Sequence, residues 1–352
     1  MRATIEQWDK AIERIFNACG LREDCSKATA YAVVRAEARG VYSHGIGLID
    51  VYVNEAQSGY FNPDPTTKII SERAASAVID GDKAVGHYTA LEAMKIAMDK
   101  AKTCGSATVM VRNCNHYGAG LPYVLKACEN GMIAWMYCNT DPCMAPWGGT
   151  KKFIGTNPYT FGTPAGKYAP FVLDMATTAA AYNKILHFKV DGKPVPEGWG
   201  LDSKGRPTTV ADDIINGGSM LPFGGIKGYG IATMVDIIGG VLSGEHYGYD
   251  VHCRPWAKDD PANVGYMINV IDVAAYMDLA EYNARMEDYL DLLHACPKAD
   301  GVEAIYYAGE KEGIRCQKAK DEGIDIEDMT LKNYLYACEK TGLDPEAILK
   351  ED

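Results

Sequence analysis

The chain has 352 residues, 47% of them apolar, and a formal charge of −12 from 35 Lys and Arg against 47 Asp and Glu. That length and apolar share suffice for a large buried core and for two domains. The acidic balance argues against nucleic acid or an anionic membrane surface as partner, because no run of Lys or Arg supplies the basic face a polyanion needs. The segment MRATIEQWDKAIERIF is charged throughout and does not read as a secretory signal, and no window is apolar for long enough to span a bilayer. The 11 cysteines, odd in number and without a CxxC pair, point to reduced thiols in a cytoplasmic protein.

In chain order, residues 4–18 and 26–40 carry apolar side chains at three- and four-residue spacing, which predicts two amphipathic helices. Thr4 and Ser26 are their N-caps, and Gly20 and Gly40 their stops. A glycine-punctuated loop follows and opens a further helix, closed by Asn62, Pro63 and Pro65. From residue 68 the texture alternates. Strands are predicted at 67–70, 76–80, 107–112, 133–139, 170–174, 264–271 and 304–307. Helices are predicted at 88–104, 120–130, 228–242 and 275–294, with a turn-rich excursion at 191–207. The stretch 311–352 is again charged amphipathic helix. This predicts an α/β layer between two helical ends, with 1–67 and 311–352 forming a helical domain around an α/β domain at 68–310.

Several signatures are missing: GxGxxG after a strand, GxxxxGK[ST], HExxH and GxSxG. Glu245, His246, Asp250, His252 and Cys253 are metal-ligand types, but no helical spacing gathers them, so they read as a surface loop and no metal site is expected. Four polar, glycine-rich patches remain. Ser43-His44-Gly45 offers a proton exchanger with a pKa of about 6.5 beside a hydroxyl, or a capping serine beside a satisfied histidine. Asn115-His116-Tyr117-Gly118-Ala119-Gly120 follows the strand 107–112, where α/β proteins place ligands. Leu173-Asp174-Met175-Ala176-Thr177-Thr178 ends a strand in a carboxylate and hydroxyls, which can also be a plain helix cap. Pro222-Phe223-Gly224-Gly225-Ile226-Lys227-Gly228-Tyr229-Gly230 opens a helix with a lysine, as a phosphate seat does and as an ordinary glycine turn also does.

Ser43-His44-Gly45 after Ala38-Arg39-Gly40, Asn115-His116-Tyr117-Gly118, Gly155-Thr156-Asn157-Pro158, Asp174-Met175-Ala176-Thr177 and Lys227-Gly228-Tyr229-Gly230, in that order, resemble the type-2 malate/L-lactate dehydrogenase family. The resemblance implies an NAD- or NADP-dependent oxidoreductase, usually a homodimer, whose cofactor domain is not of the Rossmann kind and is inserted in a helical domain built from both chain ends. It further implies that Asp174, Met175 and Ala176 line the nicotinamide side, that Thr140 and Lys227 contact the cofactor, and that Gly309, Glu310 and Lys311 close over it. The Asp141-Pro142 corner and Thr177-Thr178 look most like the ureidoglycolate dehydrogenase branch. That branch points to His116 as the base. The imine- and keto-acid-reducing branches instead point to His44 as donor, relayed by Ser43 and Asp174. His116 is the preferred assignment, with His44 against the substrate.

One departure stands out. The family continues Ser-His-Gly-x-x-Arg, and this chain has Leu48, which cannot make the bidentate carboxylate pair of an arginine. Either Arg112 or Lys151 meets the carboxylate, or the substrate has none at that end. The expectation is a specialised 2-hydroxy or 2-oxo acid. A reductase of a cyclic imine carboxylate or other carbonyl, a binding protein that keeps the fold without turnover, and a metalloprotein using the cysteines and histidines are the alternatives.

Overall fold

The computed structural model describes residues 1–252 and 263–350, so Cys253 lies outside the described residues. The chain opens with β1 (Arg2–Ala3), α1 (Ile5–Ala18) and α2 (Glu23–Ala38). Two 3-10 turns, Tyr42–His44 and Ile46–Leu48, lead into α3 (Ile49–Gln57). Next come β2 (Lys68–Arg73), β3 (Ser76–Asp80), α4 (Gly86–Cys104), β4 (Ser106–Cys114), α5 (Leu121–Glu129), β5 (Met132–Cys138), β6 (Tyr159–Thr163) and β7 (Phe171–Met175). An excursion holds α6 (Tyr182–Val190), β8 (Gly200–Leu201), β9 (Pro207–Thr208), α7 (Ala211–Ile215) and β10 (Ser219–Met220). Then follow α8 (Ile226–Asp236), which runs on as a π turn over Ile237–Leu242, β11 (Val264–Asp272), α9 (Leu279–His294), α10 (Glu310–Glu322), β12 (Ile324–Asp325), α11 (Asp328–Thr341) and α12 (Ala347–Lys350).

Seven strands form one mixed sheet in the order β2-β3-β4-β11-β5-β6-β7. Only β3 and β4 run parallel, joined through α4, and every other neighbouring pair is antiparallel. The late strand β11 sits between β4 and β5 and is antiparallel to both, so β4 and β5 point the same way. Through β6 the same holds for β7, and the parallel pairing adds β3. Four strands therefore deliver their carboxyl ends to one sheet edge, at Asp80, Cys114, Cys138 and Met175. This is not the doubly wound parallel order of a Rossmann domain.

One continuous core joins the sheet to the terminal helices: Trp8, Ile12, Ile15, Val33, Tyr52, Val109, Ile268, Val270, Tyr334 and Leu349 all belong to it. Trp8 donates its indole N–H to the Ile324 carbonyl at 3.1 Å and stands edge-on to Tyr334, tying the first helix to the last part of the chain. A second, smaller core of Met144, Ile154, Ile185, Ile214 and Met220 supports the β8–β10 excursion.

Helix α1 has the expected cap: Thr4 and Gln7 exchange side-chain and backbone hydrogen bonds of 2.8 and 3.2 Å. Ser26 is not a cap. Helix α2 begins three residues earlier, where Glu23 and Asp24 complement the helix dipole, and Ser26 is buried within its first turns. The segment 304–307 is not a strand of the sheet, because Tyr307 spends its N–H on the Glu310 carboxylate at 3.1 Å and the chain turns into α10 at Gly309. Strand β6 was not predicted, since Pro158 and Gly162 interrupt its alternation, and α6 buries only Ile185, too little to mark a helical stripe. The terminal helical stretch is broken at Gly323 and Gly342 into α10, α11 and α12.

The central position of β11 makes it the strand on which the sheet depends. Ile268, wholly buried there, is expected to lose about 2–5 kcal/mol of stability when replaced by Ala, measured by urea unfolding; a loss below about 1 kcal/mol would contradict this packing.

Candidate active site

Helix α2 ends at Ala38, and two successive 3-10 turns carry Ser43 and His44 before α3 begins. Ser43 Oγ lies 2.9 Å from His44 Nδ1. Gly45 has a steric cause, because a Cβ there would fall on the Glu37 carboxylate, which accepts the Ile46 N–H at 2.9 Å. The Ser-His-Gly run is thus folded over a buried glutamate. Helix α3 then presents Tyr52 inward, fully buried, with its hydroxyl 2.8 Å from His116 Nδ1.

His116 stands on the turn after β4, at the carboxyl-end edge of the sheet. Asn115 fixes that turn by donating its amide to the carbonyls of Lys83 and Ala84 at 2.8 and 2.9 Å, and Tyr123 donates its hydroxyl to the Tyr117 carbonyl at 2.5 Å. The His44 and His116 rings stack with centroids 5.7 Å apart. His44 and His116, 72 positions apart in the chain (116 − 44), therefore bring their two patches into one site. Behind them His87 meets Tyr52 edge-on, with centroids 4.8 Å apart. Burial pushes the pKa of His87 down to about 3, so it stays neutral, and neither ring nitrogen has a protein partner among the described residues.

Asp174, at the end of β7, accepts the Leu121 N–H and the Thr160 hydroxyl, each at 2.8 Å. Burial raises its pKa and these two bonds oppose that rise. Since Leu121 opens α5 directly after the His116 turn, the bond joins the carboxylate to the histidine loop. Met175 and Ala176 follow, half-buried. Thr177 donates through both N–H and hydroxyl to the Thr156 carbonyl at 2.8 and 2.9 Å, and Phe223 N–H reaches the Thr177 carbonyl at 3.0 Å. Thr140 Oγ1 accepts the Thr156 N–H at 2.8 Å, and its own N–H reaches Asn157 Oδ1 at 3.1 Å. The Thr140, Gly155–Asn157, Asp174–Thr177 and Phe223–Lys227 patches are therefore one connected wall.

That wall suits a dinucleotide. Helix α8 has no side-chain cap, Gly224 and Gly225 approach it at φ of 58° and 67°, and a Cβ at Gly224 would point into open space. Lys227 is exposed in the first helical turn. Unsatisfied N–H groups, a helix dipole and a cation at one spot favour a phosphate.

The remaining predicted residues are placed differently. Asp141 is half-buried, next to Thr140. Leu48 packs against the main core. Arg112 runs along Gly244, and Lys151 lies over the Tyr249 ring at 3.9 Å, so neither stands against the histidine pair. Glu310 is held by His294 Nε2 at 3.0 Å and by Tyr307 N–H, while Lys311 covers the Tyr306 ring at 4.4 Å. Gly309 and Glu310 border a cavity of ≈ 420 Å³ with Arg39, Leu121 and Val172. In the 245–250 loop, Glu245 accepts the Asn113 N–H at 2.5 Å and His246 Nδ1 faces the Asp250 carbonyl. Among the described residues no three His, Cys, Asp or Glu side chains gather as a metal-holding group.

Sequence reasoning missed Tyr52, Glu37 and His87. Tyr52 lies eight residues after His44 on an apolar helix face, and helical spacing alone could not tell it from core.

A stacked histidine pair on a sheet without Rossmann order, linked through Asp174 to a wall that ends at an uncapped helix start with a lysine, fits a nicotinamide-dependent oxidoreductase. The chain belongs to the malate/L-lactate dehydrogenase family, whose model matches residues 3–334. It is 34% identical over 339 residues to malate dehydrogenase of Pyrococcus abyssi, covering 94% of this chain and 92% of that one. It is 35% identical over 341 residues, 97% of each chain, to L-sulfolactate dehydrogenase of Methanocaldococcus jannaschii. The solved sulfolactate dehydrogenase structure from that organism superposes with a TM-score of 0.90 at 34% identity, over 99% of both chains. Ureidoglycolate dehydrogenase (NAD(+)) of Escherichia coli K12 is 30% identical over 328 residues, 93% of each chain. The chain is an NAD(P)-dependent dehydrogenase.

Tyr52→Phe removes the hydroxyl from His116 and keeps the ring in the core. The expected result is an unchanged fold with kcat/KM lowered about tenfold, the equivalent of one hydrogen bond of about 1.4 kcal/mol. Steady-state kinetics with full activity would contradict the contact's role.

Proposed function

We propose that the chain moves a hydride between NAD or NADP and C2 of a small 2-hydroxy or 2-oxo acid, with His116 carrying the proton and His44 touching the substrate. The observation that carries this reading is the His44–His116 stack with Tyr52 on His116 Nδ1. When bound, the nicotinamide takes or gives the hydride. Tyr52 decides which nitrogen of His116 works. With Nδ1–H donated to the tyrosine oxygen, Nε2 has the lone pair that accepts a hydroxyl proton. For reduction the same ring starts protonated at both nitrogens, keeps Nδ1–H on the tyrosine oxygen, gives its Nε2 proton to the substrate oxygen as hydride reaches the carbon, and returns to the neutral Nδ1–H form. One constellation thus serves oxidation and reduction. Ser43 orients His44, and Asp174 ties the nicotinamide-side strand to the histidine turn.

In the same reading Met175 and Ala176 face the nicotinamide, Thr140 and Lys227 contact the cofactor, and Gly309, Glu310 and Lys311 border it. Asp141 stands at the substrate corner. Leu48 favours a substrate with no carboxylate at that end, which keeps a second reading in view: reduction of an imine carboxylate or another carbonyl held without an arginine clamp.

The division into a helical unit, 1–67 with 311–352, around an α/β unit, 68–310, is supported by the contacts of α1 with α11 and α12. A homodimer is supported by apolar side chains on one outward run: Ile237 is 52% exposed, Val241 55% and Leu242 63%. Free thiols at all ten described cysteines suit the cytoplasm, and no described helix is long and apolar enough to cross a membrane.

Oxidation and reduction of lactate, malate, sulfolactate, ureidoglycolate and carboxylate-free analogues with each cofactor, followed by nicotinamide absorbance, tests the reading. Weak malate turnover is expected, raised about tenfold by Leu48→Arg, which restores a charge-assisted pair. Strong malate turnover by the unmodified chain would remove the argument from Leu48, and no turnover of any member with either cofactor would overturn the reading. Val241→Asp is expected to turn dimer into monomer in light scattering; a monomeric parent would contradict the association.

A further inference from the structure

Glu37 is buried within α2, at 5% exposure, yet its carboxylate reaches out of the helix to a backbone it does not belong to. Oε2 accepts the Ile46 N–H at 2.9 Å, and the Gly47 N–H also bonds to this carboxylate. Those two amides open the second 3-10 turn, directly after His44 and Gly45. The missing side chain of Gly45 leaves the space the carboxylate fills. The far side of this turn is held as well, since Asn333 of α11 donates to the Gly47 carbonyl at 2.7 Å. The loop with Ser43 and His44 thus hangs between a rigid helix and one buried acid.

We propose that Glu37 is the positioning residue of the Ser43–His44 loop, and that gain of a proton on its carboxyl loosens this loop and withdraws His44 from the substrate. The proposal rests on the reading of His44 as a substrate contact. Both groups facing the carboxylate are N–H donors. An ionised carboxylate makes charge-assisted bonds to both, whereas protonation removes the charge, weakens both bonds and adds an O–H that neither donor can accept.

The titration falls near neutral pH. Burial, the largest effect, raises the Glu37 pKa to about 7, and the Ile46 and Gly47 N–H bonds oppose it. No charged neighbour contributes to the shift, although the packed elements carry titratable groups, among them Asp9 of α1, His87 and Tyr88 of α4, Tyr123 and Lys126 of α5, Tyr42 and His44 of the first turn, and Glu312 and Arg315 of α10. Asp9 is paired with Arg35, and Lys126 with Glu129. Because the folded pKa lies above that of the unfolded chain, folding retains a proton below about 7. Stability from this group declines as pH rises towards 7, while the clamp forms over the same interval. The protein gives up stability to have the loop ordered.

The test compares the full-length protein with Glu37→Gln and Glu37→Leu. Gln keeps an acceptor of the same shape and cannot titrate, and Leu fills the site without an acceptor. Amide hydrogen exchange of the peptide covering residues 42–48 reads the loop directly, and the pH profile of kcat/KM reads its effect on His44. In the parent protein, protection of this peptide, corrected for intrinsic exchange, is expected to be lower at pH 6 than at pH 8, and in Glu37→Gln to be the same at both. The acid limb of kcat/KM is expected to lose one proton in Glu37→Gln, which one unit below the titration keeps about tenfold more of its optimum activity than the parent. Glu37→Leu is expected to raise KM at every pH with little change in kcat. Identical pH dependence of exchange in parent and Glu37→Gln would overturn the proposal, as would an unchanged KM in Glu37→Leu. Exchange that follows pH while kcat/KM keeps its acid limb would sink the link to the substrate and leave the loop clamp standing, so failure of the His44 reading and failure of the clamp are told apart.

Discussion

The antiparallel seating of β11 between β4 and β5 is the constraint from which the site follows. A strand from residues 264–272 separates two earlier strands and aligns them. Once β4 and β5 run the same way, the His116 turn and the Thr140 corner emerge at one edge, and β7 brings Asp174 to it through β6. Remove that pairing and the patches have no common edge. The same arrangement explains the missing GxGxxG: with a single parallel pair there is no central crossover whose glycine-rich turn could hold a pyrophosphate, and the phosphate-type feature lies instead at the start of α8.

Within that frame inward polar groups set the geometry of the half-buried histidine loops. Tyr52 orients His116, Glu37 seats the His44 turn, and Asp174 links strand to loop. Each is a hydrogen bond in an apolar setting, where a lost partner costs more than in water. Leu48, between the His44 turn and α3, packs against the main core and adds an apolar side chain there.

Much of this was legible in the sequence. Helices α1, α4 and α5 and strands β3, β4, β5 and β11 followed from periodicity, because each buries one clear stripe or an unbroken apolar run. Strand β6 was hidden by Pro158 and Gly162, and α2 started early because charge complementarity, not Ser26, defines its first turn. The histidines were legible as residues and, only through the family resemblance, as members of one site; their stacking depends on a long-range fold that spacing does not show. Tyr52, Glu37 and His87 were hidden for a common reason: an inward polar group on an apolar helix face follows the same spacing as core. Leu48 was legible only against the pattern of similar chains.

The central claim is that His116, not His44, carries the proton. Single-turnover measurement of nicotinamide absorbance in His116→Ala and His44→Ala, with the best substrate and saturating cofactor, tests it most directly. The account predicts that His116→Ala loses the chemical step by about 10²–10⁴-fold, the usual worth of a general base, while His44→Ala chiefly weakens substrate binding. Near-normal turnover in His116→Ala together with its abolition in His44→Ala would contradict the account and reverse the two roles.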